Sequence, residues 1–133
     1  MTLSKNKSYA FYQNLGKLFY AIAATDNNVD EMEYETLKKL VQSKALHFSF
    51  DNTNADTVQE IVLTFNDLQT KSYNADTSFE EFISFKRQNE VLFTDANKLT
   101  IMKAANRIAS SFSYKNKSEL IMIAKLDIEF KTS

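Results

Sequence analysis

Five carboxylates fall within the ten residues from Asp26 to Glu35 (Asp26, Asp30, Glu31, Glu33 and Glu35), and no Lys or Arg stands among them. Oxygen-rich sets of this kind suit hard divalent cations such as calcium or magnesium, which take several oxygen ligands, and Asn27 and Asn28 could add more. Asp26, Asn28 and Asp30 even occupy the first three ligand places of an EF-hand loop. The match ends there, because Glu31 stands where that loop needs Gly and Leu37 where it needs a bidentate Glu. An EF-hand is excluded.

The same residues have a second chemistry. Asp30 followed by Glu33 has capping-box spacing, and so does Asn116 followed by Glu119. Carboxylates in a helix's first turn also favour the positive end of its dipole. Capping would account for both glutamates. Yet Glu33 lies four residues before Leu37, and Glu119 four before Ile123, which puts each on its helix's core-facing stripe. A carboxylate turned toward a core must be ion-paired, hydrogen-bonded or metal-bound. The residues leave both readings open: helix caps, or an acidic pocket built from Asp26, Asp30, Glu33 and Glu119.

Other reactive candidates are few. His47 is the single histidine and sits beside Phe48 and Phe50, so no multi-histidine metal site is available. Cysteine is absent, which removes disulfides, thiolate metal sites and a cysteine nucleophile. No Gly-rich phosphate loop or nucleophile elbow occurs. The expectation is a non-enzymatic protein. Phe79, Phe82 and Phe85 are most simply core, with an exposed partner-binding strip as the alternative.

These residues need a scaffold, and the composition points to helices. The 133 residues include one Gly and no Pro, whereas sheet proteins rely on Gly at many tight turns. Asn, Asp, Ser and Thr must serve as turn formers and N-caps instead. Hydrophobic residues at 44% and charged residues at 25% are globular values. Apolar spacing predicts helices over 7–24, 31–45, 55–70, 79–93, 95–112 and 117–131, with a loop over 46–54. Ser78 with Glu81 suggests a capping box opening the fourth. The last helix is apolar almost all round, which predicts a central position. A single domain over 1–133 is expected, all-α, a compact bundle of about six or seven helices.

An internal repeat relates the two ends. An offset of 86 places Ile22-Ala23 on Ile108-Ala109, Asp30 on Asn116 and Glu33 on Glu119. It also places Leu37 on Ile123 and Leu40 on Leu126. Two such hairpins could pack about a pseudo-twofold axis. The stretch Ile22 to Glu33 resembles the signature of the TerB-like family, named for tellurite resistance: small apolar residues, then Asp-Gly, a hydrophobic residue three after the Asp and a Glu seven after it. Asp26, Val29 and Glu33 fall on those places, and Glu119 on the Glu of a second copy over Arg107 to Leu126. Asn27 replaces the family's Gly and Phe112 the second Asp, so an acidic cation pocket would be incomplete here.

The resemblance implies a TerB-like accessory or sensing module connected with stress, its small acidic cleft holding a divalent cation weakly. The alternative is a protein-interaction or oligomerisation module whose carboxylates only cap helices. Sixteen basic against seventeen acidic residues, a formal charge of −1, argue against nucleic acid as a partner. Another protein is the expected partner. A polar N-terminus and the lack of a long apolar run predict no membrane span and a cytoplasmic location.

Overall fold

The computed structural model describes residues 4–26, 29, 31–43, 46, 48, 55–110 and 117–132, all-helical in its regular elements. Helix α1 (Lys5–Ala24) leads to α2 (Glu31–Gln42), followed by a single turn α3 (Ala55–Val58) and α4 (Glu60–Thr70). Then come α5 (Ala75–Gln88), a 3₁₀ turn (Glu90–Leu92), α6 (Asp95–Ala109) and α7 (Lys117–Lys131).

Small polar residues start and stop these helices, as the composition requires. Ser4 accepts from the Lys7 N–H, Asn74 from Thr77 and Thr94 from Asn97, at 3.2, 2.8 and 3.2 Å. Each satisfies one of the orphan donors of a helix start. At the end of α4, Ser72 takes the left-handed conformation (φ 52°) and the Tyr73 N–H reaches back to the Leu68 carbonyl. That closure usually falls to glycine.

Helix α1 is the axis of the bundle. Leu18 to Ala24 are buried without interruption, and α1 packs against each of the other six α-helices. The chain's one glycine lets α4 lie close: a Cβ on Gly16 would lie 2.8 Å from both the Ile61 carbonyl oxygen and Thr64 Cβ. Two aromatic groups flank this axis. Phe93 meets Phe11, Phe82, Phe85 and Phe130, while Phe65 meets Tyr20 and Tyr34.

Several expectations need correction. α7 is peripheral: it packs on α6 and α1 and leaves Leu120, Ile121 and Ile128 exposed. Apolar content all round a helix does not tell which side is covered. The helix expected over 55–70 is broken at Gln59, and the one expected over 79–93 starts at Ala75 and ends at Gln88. Ser78 is no cap. It is fully buried within α5, where its hydroxyl donates to the Lys17 carbonyl at 2.8 Å. Phe79 and Phe82 are buried and Phe85 half-buried, so this group is core. Leu46 and Phe48, placed in a loop, also belong to the core; His47 lies outside the described residues.

Candidate functional site

Glu33 and Glu119 are each the third residue of a helix, α2 and α7 respectively. Both are buried, 3% and 4% exposed. Their helices turn the same faces inward: Leu37 and Leu40 on α2, Ile123 and Leu126 on α7, are buried as well. Burial thus recurs at the offset of 86 seen in the sequence, including Ile22-Ala23 and Ile108-Ala109. Each carboxylate takes part in interactions of its own, while one of its oxygens, Oε2, is buried with no hydrogen-bond donor against it among the described residues.

The other two acidic candidates stand differently. Asp26 is exposed in the turn after α1. Asp30 lies outside the described residues, as do Asn27, Asn28, Phe112 and Asn116. Among the described residues, no three acidic or histidine side chains gather closely enough to hold a metal ion. Asp26, Glu33 and Glu119 therefore do not form a three-carboxylate site by themselves. A cation here would draw its remaining ligands from backbone carbonyls, water or residues outside the described set.

A charge cluster that the sequence reading missed lies at the far end of α7. Lys86 is 1% exposed, and its ammonium reaches the Glu129 carboxylate (3.1 Å), the Glu129 carbonyl (3.1 Å) and the Glu90 carboxylate (3.0 Å). Arg87 grips the same Glu129 with two N–H groups, at 3.1 and 2.7 Å. This fork, then Lys86, holds the Glu129 carboxyl below the usual carboxylate range. The signal was available: Lys86 lies three residues after Ile83 and seven after Phe79, on α5's inward stripe. With all three ammonium donors occupied, the cluster is structural.

A second polar knot joins α1 to the start of α5. The Tyr73 hydroxyl donates to Glu81, which also pairs with Lys17 at 3.3 Å, and the Tyr20 hydroxyl donates to the Tyr73 carbonyl at 2.7 Å. The hydrogen bond to Glu81 raises the Tyr73 pKa, and burial raises that of Tyr20.

Two cavities adjoin this knot and share Asn74 and Ala75 on their walls. One, of about 420 Å³, lies between Tyr20, Ala24, Gln69 and Tyr73. The other, of about 340 Å³, lies where the end of α1 and the first turns of α5 and α7 converge. A smaller cleft of about 230 Å³ separates α2 from α6 beside Leu40, Lys103 and Arg107. Compared with protein-family models, curated proteins and solved structures, the chain matches none. No described helix is long and apolar enough to cross a membrane.

Proposed function

We propose that the chain is a non-enzymatic accessory or sensing module of TerB-like type. In this reading the α1–α2 and α6–α7 hairpins are related by an approximate twofold, and Glu33 and Glu119 mark its working end. That end engages a divalent cation weakly. The observation that supports it most is the burial of two carboxylates at corresponding positions, each third in its helix. Buried carboxylates are costly unless a partner compensates them, so two at repeat-related places suggest a shared use. Asp26, and Asp30 by its place in the sequence, would extend the oxygen-donor set.

The test is a thermal melt in calcium, magnesium, manganese and zinc, for the wild type and Glu33→Gln. A cation that binds only the folded state raises the transition, by about 2.7 kcal/mol at a hundredfold excess over Kd. Slight, unselective stabilisation of the wild type at millimolar concentration is expected, and Glu33→Gln should remove it. Gln still serves the third position of a capping box, so as a pure cap the change costs only a few tenths of a kcal/mol. No shift with any ion would leave both glutamates as caps.

One observation favours a second reading, an interaction module whose carboxylates only cap. Leu120, Ile121 and Ile128, exposed by 44, 47 and 62%, give α7 an apolar outward side. If that side binds another protein, Ile128→Asp should abolish the association without lowering the melting temperature.

A further inference from the structure

The cavity of about 340 Å³ where α1, α5 and α7 converge carries opposite charges on its walls, Asp76 from α5 and Lys125 from α7. Among the described residues neither belongs to an ion pair: the two line one cleft but stand farther apart than the 4.0 Å of a salt bridge. Ile121 and Met122 supply an apolar wall, and Thr25 and Ser118 complete the polar one. Two opposite charges facing a common space without touching are matched by a ligand that carries both.

We propose that this cleft binds a zwitterion, a free α-amino acid with an apolar side chain. Its ammonium group would meet the Asp76 carboxylate. Its carboxylate would meet the Lys125 ammonium and the Ser118 hydroxyl, and its side chain would lie against Ile121 and Met122. A simple anion would satisfy Lys125 but face Asp76, and a simple cation the reverse, so each single-charge ligand meets a repulsion that the zwitterion escapes. The volume exceeds that of one amino acid, and the wall charges are exposed to solvent, so the affinity is modest, roughly millimolar. None of the proposed cation ligands lines this cleft, although Thr25 and Ser118 adjoin Asp26 and Glu119 in the sequence.

The test follows backbone amide shifts of the full ¹⁵N-labelled chain during titration with leucine, N-acetyl-leucine and leucinamide, all in EDTA. EDTA keeps this outcome independent of the cation reading. Leucine should give saturable shifts at Ala75, Asp76, Ser118 and Ile121. Each blocked analogue, lacking one charge, should bind about two- to fivefold more weakly. Asp76→Asn should erase the preference for leucine over N-acetyl-leucine, and Lys125→Met the preference over leucinamide. Both positions are exposed, and the same spectra report whether each variant is folded. Equal binding of the blocked analogues, or no saturable shift with leucine at about 20 mM, about twentyfold above the expected Kd, would overturn the proposal.

Discussion

Gly16 shows how much a missing side chain can decide. Glycine inside a helix costs roughly 1 kcal/mol relative to alanine, so a helix-propensity argument alone favours replacing it. Here α4 lies too close: a Cβ would meet a backbone oxygen and the Thr64 side chain at 2.8 Å, and backbone cannot rotate aside. Gly16→Ala should therefore destabilise by about 1–3 kcal/mol as overpacking, read from the midpoint of urea unfolding. A stabilised Gly16→Ala would mean that α1 and α4 separate easily. Lys86 poses the opposite case, a charge that the core accepts because three acceptors surround it. Lys86→Ala should cost about 3 kcal/mol or more, from a cavity together with a Glu129 left with Arg87 alone. Lys86→Met retains the apolar stem and should lose less, and equal losses would show that packing contributes little. At this scale the sequence was legible where chemistry and period agree, as with Glu33 and Glu119, whose inward positions follow from Leu37 and Ile123. It was not legible where the deciding partner is remote in sequence, since nothing near Gly16 announces Thr64.

Among the elements, α7 is the one whose docking depends most visibly on charge. It has few neighbours and an uncovered outward side, but lysines grip its last carbonyls: Lys86 that of Glu129 at 3.1 Å, and Lys98 that of Phe130 at 2.8 Å. Cations there satisfy orphan acceptors and favour the negative end of the helix dipole. Arg87 and Lys86 together also lower the pKa of Glu129 from its ordinary 4.5. A carboxyl whose folded pKa is depressed contributes stability in full above its unfolded pKa and loses it as pH falls through the folded one. The clamp should thus be intact above about pH 4.5 and weaken progressively below it. Amide exchange in α7, compared with α1, should accelerate as pH drops through that window once intrinsic rates are corrected. Glu129→Gln should flatten the dependence, and an unchanged profile would place the acid-sensitive contact elsewhere. The helical class was plain from one glycine, no proline and apolar periodicity. Boundaries were harder, because Asn74 and Ser78 are equally good caps by type, and only their hydrogen bonds, to the Thr77 N–H and the Lys17 carbonyl, settle which lies inside α5. The peripheral place of α7 was hidden because its outward side is as apolar as many buried ones.

For the molecule as a whole, the question is whether two aromatic groups on either side of α1 behave as one core. Phe93 meets Phe11, Phe82, Phe85 and Phe130 at ring separations of 5.5, 5.9, 6.2 and 6.2 Å. Tyr20 and Tyr34 lie across the axis, 5.7 and 5.8 Å from Phe65. The buried apolar residues form one contiguous cluster, and α1 contributes Phe11 to the first group and Tyr20 to the second. Loosening one side should therefore be felt on the other. Phe93→Ala removes the ring at the centre of the first group and should cost about 3–5 kcal/mol, a large share of the 5–15 kcal/mol typical of a domain. Tyr12 lies 5.5 Å from Phe11 in the first group, so the second is followed by 3-fluorotyrosine labelling, through the separate ¹⁹F signals of Tyr20 and Tyr34. If the core is one unit, the far-UV circular dichroism and the Tyr20 and Tyr34 signals of Phe93→Ala shift to lower denaturant together, with coincident midpoints. If the helical signal falls while the tyrosine signal holds at its wild-type midpoint, the two groups unfold separately. The unbroken burial from Leu18 to Ala24 argues for the first outcome, since α1 cannot release one side without exposing residues that the other side also covers.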